Sequence, residues 1–158
     1  MENKKVRNAK EVVYDNIKFK STLEERCYKY LQKENVEFKY EPLKFTLVEG
    51  FTPKIHFYEP IGGHLDRKVT KNGENYKVIS ITYTPDFIVY YPNIIGIIEA
   101  KGKQTDTYPL KEKLFRKLLE NCIYFAKPVI FFKVKTTRQL GEALQILKDY
   151  NEEINEEF

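Results

Sequence analysis

The sequence lacks the long apolar runs that membrane and secreted proteins need. No stretch of eighteen or more apolar residues occurs, and the longest ones, 94–98 and 129–132, are only strand-length. Met1–Lys5 also lack the apolar core of a signal peptide. We therefore expect no membrane association and a cytoplasmic location.

Cysteine and histidine are equally scarce. Cys27 and Cys122 lie far apart without C-x-x-C spacing, which favours buried thiols on helices over a disulfide or zinc site. The two histidines, His56 and His64, fall in a loop-rich stretch, and two histidines alone make no strong metal site. Neither residue type therefore indicates a metal centre.

What the sequence does contain is typical of one folded domain with a mild basic bias. Of its 158 residues, 42% are hydrophobic and 15% aromatic, which excludes a disordered chain. The net charge of +4 is weak evidence for a nucleic-acid partner. The charges are segregated, however: residues 4–10 and 101–117 are basic, whereas 149–157 are acidic.

Hydrophobic periodicity predicts an α/β fold with a mixed sheet flanked by helices. Residues 1–18 are expected to form a flexible N-terminal arm or an edge strand, and 19–158 a single domain with a loop insertion over 49–75. Ser21, as an N-cap with Glu24 three positions on, begins the first helix. We expect helices over about 22–34, 109–125 and 138–150, strands over 36–40, 45–48, 76–83, 87–91, 94–100 and 129–134, and a hairpin turn near 71–74.

Three charged residues are expected to meet at one end of two neighbouring strands. Asp86 begins the strand after Pro85, and the turn at 92–93 brings the next strand back antiparallel, so that Glu99 lies beside Asp86. Glu99 and Lys101 are two residues apart and share one face. Isolated E-x-K is more often a solvated strand end, but here it follows a buried apolar run.

Charge beside a core costs energy unless a metal or a partner compensates it. The two carboxylates, with the backbone carbonyl of Ala100 near them, form a hard-oxygen site that suits Mg²⁺, with Mn²⁺ as a substitute. A metal and a positioned amine are what phosphodiester hydrolysis requires. The sequence therefore predicts that Lys101 stabilises charge on the phosphate.

These residues resemble the PD-(D/E)xK nuclease superfamily, which has the restriction-endonuclease-like fold. The similarity is greatest to the phage endonuclease I group of Holliday junction resolvases, through the segments Phe19-Lys-Ser-Thr-Leu-Glu24, Val36-Glu-Phe-Lys-Tyr-Glu41, Tyr83-Thr-Pro-Asp-Phe87 and Ile98-Glu-Ala-Lys-Gly102. The resemblance implies a metal-dependent endonuclease that cuts duplex or branched DNA as a homodimer, in a bacterial or phage-infected cell. It also implies a catalytic set made of Glu24, Asp86, Glu99 and Lys101, in which Glu24 is a further metal or water ligand.

Several assignments remain open at the level of the sequence. Glu24 is either that ligand or only a capping residue, and Glu25 replaces it if the register is off by one. Lys20 and Lys103 either contact phosphate or are solvated. The helix from Pro109 either lies beside DNA or is a solvated amphipathic helix; in the first case it makes phosphate contacts through Lys111, Lys113, Arg116 and Lys117.

The chain departs from the endonuclease I pattern in two places. Its insertion over 49–75 is longer, and an acidic tail stands where a basic one is expected, which leaves the substrate open. The competing interpretations are a catalytically silent nucleic-acid-binding or virion protein that keeps the fold, and an α/β domain whose charges are surface decoration. All four site positions carry residues competent for catalysis, which argues against a catalytically silent protein. Surface decoration leaves the charged end of a buried strand unexplained.

Overall fold

The computed structural model describes residues 11–102, 105–121 and 124–156. They form two compact units, one from the segments before 45 and after 83, the other from residues 45–83. The elements, in chain order, are β1 (Val12–Tyr14), β2 (Ile17–Phe19), α1 (Thr22–Lys33), β3 (Glu37–Tyr40), β4 (Phe45–Val48), β5 (Tyr58–Ile61), β6 (His64–Arg67), β7 (Ile81–Tyr83), β8 (Phe87–Tyr90), β9 (Ile95–Ala100), α2 (Tyr108–Glu120), β10 (Val129–Val134) and α3 (Thr137–Glu156). The expected α/β class is confirmed.

The larger unit is organised around a mixed four-stranded sheet in the order β10–β9–β8–β3. β8 runs antiparallel to both β3 and β9, whereas β10 runs parallel to β9. All six residues of β9 are buried, as expected for a strand covered on both faces. The sheet therefore fixes the backbone on which the predicted site is built.

Helices cover both faces of this sheet. On one face, α1 and α3 contribute Cys27, Leu31, Leu140, Leu144 and Leu147 to a core that includes Phe87 and Ile98. On the other face, Phe115 of α2 is fully buried and meets Phe131 of β10 edge to face, with ring centroids 5.7 Å apart. In the described part of the chain, no helix is apolar over a stretch long enough to cross a membrane.

The segment before α1 is folded where the structure describes it. Residues 12–19 form the hairpin β1–β2, a separate two-stranded sheet, so this part of the predicted arm is strand but does not pair with the edge of the four-stranded sheet. Asp15 and Asn16 occupy its two-residue turn with φ of 53° and 60°, a conformation that these residues tolerate well. The basic residues at positions 4–10 lie outside the described residues.

The unit of residues 45–83 contains more strand than a loop insertion over 49–75 implies. β5 and β6 form a hairpin whose turn is Gly62-Gly63, both at positive φ, and a Gly-Gly pair is typical of such turns. The turn expected at 71–74 is present, closed by a bridge between Val69 and Asn75. The strand predicted over 76–83 was too long, since only 81–83 form β7, paired with β4.

Two helix ends also differ from expectation. The second helix, expected to continue to about 125, ends at Glu120, where Asn121 leaves the helical conformation. The last helix continues beyond the expected end at 150 as far as Glu156. Its added residues contain glutamates, which are good helix formers, and Ile154, which packs against the core and continues the apolar stripe of Leu140, Leu144 and Leu147.

Close packing of α3 on the sheet predicts the effect of a methyl group at Gly96. An added Cβ would overlap the buried Leu147 side chain, so Gly96→Ala is expected to lower the free energy of unfolding by about 1–3 kcal/mol. Urea denaturation measures this change. Gly102→Ala is the matched control because its Cβ would meet nothing nearer than 4.0 Å. Equal stability of the two variants would contradict the packing argument.

Candidate active site

Asp86 is bound to the far end of the neighbouring strand. It lies just before β8, and its Oδ2 accepts a hydrogen bond from the Ala100 backbone N, 2.7 Å away. The register that pairs Phe87 with Ile98 continues to place Asp86 across from Glu99. Asp86 and Glu99 are only 7% and 3% exposed. The structure therefore brings both carboxylates to one buried place, as the sequence predicts.

Lys101 lies alongside this pair. Its Nζ is 3.6 Å from Glu99 Oε1, and its side chain is 26% exposed, so the amine reaches solvent while the carboxylate does not. The backbone N–H of Lys101 donates to the Val134 carbonyl at 2.8 Å, which continues the parallel pairing past the end of β9. Position and direction of the lysine are thus set by the sheet.

Burial and like charge make Asp86 hard to ionise. Removal from water is the main reason that the pKa of Asp86 lies well above its ordinary value, and the charges of Glu99 and Glu24 raise it further. The Ala100 N–H and the Lys101 amine act in the opposite direction without cancelling the rise. An added positive charge at this point would therefore be stabilised by the carboxylates.

Glu24 is a capping residue of α1, one of the two alternatives that the sequence left open. Ser21 caps α1, accepting from the Glu24 backbone N, and its hydroxyl donates to Glu24 Oε1 at 2.9 Å. Glu24 Oε2 accepts from the Lys20 backbone N at 3.1 Å and from the Tyr40 hydroxyl at 2.8 Å. Glu24 is thus a buried capping residue whose charge also acts on Asp86. Glu25 pairs instead with Lys29 along the helix.

Glu41 is a neighbour of the site that sequence reasoning missed. It follows β3 with φ of 43°, a strained conformation for glutamate, and its backbone N donates to the Asp86 carbonyl at 2.8 Å. Its carboxylate forms an ion pair with Lys20. The signal was in the sequence: Glu41 continues the β3 alternation that ends at Pro42, on the strand beside β8.

Lys20 is therefore engaged with carboxylates. Burial lowers the pKa of Lys20, but its bond to Glu41 and the charges of Glu24 and Asp86 outweigh that effect and raise it overall. The side chain is still 68% exposed, so its charge remains accessible from solvent.

The other predicted phosphate contacts are on α2. Lys113, Arg116 and Lys117 are exposed there and Lys111 is half-buried. Lys103 lies outside the described residues. The structure also brings Tyr108, the first residue of α2, against Lys101, with the amine 4.6 Å from the ring centroid. The sequence alone does not predict this contact. It joins the lysine that follows β9 to a helix whose direction the sequence does not specify.

The possible metal ligands are few. Across residues 11–102, 105–121 and 124–156, no three His, Cys, Asp or Glu side chains are grouped to hold an ion. The predicted set thus reduces to the pair Asp86 and Glu99, with Glu24 outside that pair. Two carboxylates are nevertheless a usual protein contribution to a Mg²⁺ site, which keeps several waters and takes substrate phosphate as well.

Cys27, the other predicted buried group, is a free thiol on α1. Burial is the main reason that the pKa of Cys27 rises to about 12, so the thiol stays protonated at neutral pH. Cys122 lies outside the described residues. The two histidines are exposed in the 45–83 unit.

The raised pKa of Asp86 predicts how stability depends on pH. Folded Asp86 keeps its proton to higher pH than the unfolded chain does, so stability falls as pH rises from the ordinary value of 3.8 through the raised one. Asp86→Asn removes this loss, and we expect its Tm to exceed the wild-type Tm by about 2–6 °C at pH 7 in EDTA. Below pH 4 the difference should vanish.

Thermal unfolding followed by circular dichroism measures both differences. Asp149→Asn, an exposed position on α3, is the control and should leave the pH dependence unchanged. A wild-type chain that is more stable than Asp86→Asn at pH 7 would contradict the argument.

Comparison with known proteins assigns the chain to a family. No curated protein and no solved structure matches it. A family model described as "Protein of unknown function (DUF1064)" matches residues 4–131. That match covers most of the 158 residues, and the chain belongs to the DUF1064 family.

Proposed function

We propose that this protein is a metal-dependent DNA endonuclease of the PD-(D/E)xK type, which hydrolyses phosphodiester bonds and prefers branched DNA. One observation carries the proposal: Asp86 and Glu99 are buried side by side at the end of two adjacent strands, with the Lys101 amine 3.6 Å from Glu99. Buried like charges are costly without a compensating ion, so a folded chain that keeps them indicates a site for one.

The donor set fits Mg²⁺, with Mn²⁺ as a substitute. Asp86 and Glu99 would hold the ion together with the Ala100 carbonyl, and Glu24 would act on it from the start of α1. When bound, the ion supplies Lewis-acid stabilisation of the phosphate and activates water for attack. The raised pKa of Asp86, caused by burial and by Glu99 and Glu24, supports this fit because a divalent cation would favour the ionised carboxylate.

The chain's own residues have separate tasks. The Ala100 N–H orients the Asp86 carboxylate, and the sheet directs the Lys101 amine to the same side as Glu99. A phosphate bound beside Glu99 would receive a hydrogen bond and a positive charge from Lys101 as negative charge develops. Glu24 is held in one orientation by Ser21 and Tyr40.

DNA binding is assigned to α2 and to Lys20. Lys113, Arg116 and Lys117 are exposed on α2, the helix that begins at Tyr108 beside Lys101, and they join Lys111 in offering charge to phosphates. Phosphate contacts respond to the shape of DNA more than to its sequence, which suits branched substrates. The resemblance to junction resolvases adds a homodimer, because paired cuts need two sites, and a bacterial or phage-infected cytoplasm.

The second candidate is a nucleic-acid-binding phage protein that keeps this fold without cutting. It shares the basic helix but gives no reason for two buried carboxylates beside a lysine. Binding of the same DNA substrates in a gel-shift experiment, without cleavage in the assay below, would favour it.

Cleavage of three DNA substrates tests the proposal. Supercoiled plasmid, linear duplex and a four-way junction are incubated with the protein in Mg²⁺, in Mn²⁺ and in EDTA. We expect cleavage with either ion, none in EDTA, and the highest rate on the junction. Asp86→Asn and Lys101→Ala should each lower the rate by at least about a hundredfold, because each removes charge stabilisation of the transition state.

The matched control is Asp149→Asn, which should cut at the wild-type rate. Because Asp86→Asn is expected to be the more stable chain, its lost activity would not be due to unfolding. Cleavage that persists in EDTA or in Asp86→Asn refutes the metal mechanism. Equal rates on junction and linear duplex would leave a general endonuclease and reject the branched-DNA preference.

A further inference from the structure

A second lysine stands close to the carboxylate pair. Lys133 of β10 is the register partner of Glu99 on the parallel strand β9. Register partners on adjacent strands lie about 5 Å apart and point to the same face, within the reach of a lysine side chain. Lys133 is therefore placed where its ammonium group could neutralise Glu99 and compete with a metal ion.

In the structure, the Lys133 ammonium group pairs with a different carboxylate. Lys133 Nζ is bound to Glu112 Oε2 of α2 at 2.8 Å, and the Glu112 side chain is 15% exposed. An ion pair that is partly removed from solvent is worth more than a surface pair, so Glu112 can hold Lys133 in one rotamer. Lys133 thus has a carboxylate partner on the helix as well as a neighbour on the sheet.

The Tyr108 ring lies near both lysines. It is 4% exposed, with the amine of Lys101 4.6 Å and that of Lys133 5.7 Å from its centroid. An aromatic face attracts ammonium groups, so the ring can keep both amines near it while the two charges have different carboxylate partners. Lys101 then pairs with Glu99, and Lys133 pairs with Glu112.

We propose that Glu112 is a positioning residue of the metal site: it holds Lys133 away from Glu99 and so keeps the Asp86–Glu99 pair open to a divalent cation. The Tyr108 ring attracts both amines. This role rests on the proposed function, since it presupposes that the pair binds an ion. It assigns to α2 a task in metal binding that is separate from contact with DNA.

Calorimetric titration of the full chain with Mn²⁺, without DNA, tests this role. In Glu112→Gln, Lys133 is released and competes for Glu99, so we expect Mn²⁺ to bind about tenfold more weakly than in the wild type. In Lys133→Met, binding should be as tight as in the wild type or tighter, because the competitor is gone. In that background, Glu112→Gln should have no further effect.

Glu120→Gln is the matched control, two turns further along α2 at an exposed position, and should bind Mn²⁺ like the wild type. Unchanged binding in Glu112→Gln overturns the inference, and so does a double variant as weak as Glu112→Gln, since Glu112 would then act without Lys133. If Glu112→Gln does not fold, Lys133→Met decides: weaker binding there overturns the inference.

A wild-type chain that binds no Mn²⁺ refutes the proposed function and this inference together, whereas normal wild-type binding with unchanged variants refutes only the inference.

Discussion

The hydrogen bond from the Ala100 backbone to Asp86 is the interaction on which the site depends. It joins the start of β8 to the end of β9, and so fixes one carboxylate against the strand that carries the other. A bond from a backbone donor to a buried acid is short and directional, and a side-chain rotation cannot relocate its donor. The separation of the two acids is thereby set by the sheet, not by flexible side chains.

The core beneath the site makes this arrangement durable. β9 is buried along its whole length between the α1–α3 layer and α2. It holds Glu99 where water is scarce, with Asp86 of the neighbouring strand segment beside it. Removal from water, followed by the charges of Glu99 and Glu24, is why the pKa of Asp86 rises although the Ala100 N–H and Lys101 both oppose the rise. The buried acids lower the stability of the fold locally, and the packing of the surrounding core compensates for this loss.

The sequence was sufficient for features that depend on local patterns. Alternation and the buried run predicted β8 and β9, and the two-residue spacing put Glu99 and Lys101 on one face. It was insufficient where the deciding contact joins distant segments. Glu41 and Lys133 reach the site only through the order and register of the strands, and Tyr108 through the direction of α2. Local patterns carry no information on such pairings.

The parallel pairing of β9 and β10 has a consequence for how such a protein can diversify. Two parallel neighbours cannot be joined by a tight turn, so the chain must leave the sheet and return through a crossover, here one that contains α2. The crossover starts right after Lys101 and ends at β10, so changes in its length or composition would remodel the rim above the acids while the strands stay as they are. Relatives with the same acids can therefore differ in what they accept, through one connection that the hydrophobic core constrains only where Tyr108 and Phe115 of α2 are buried.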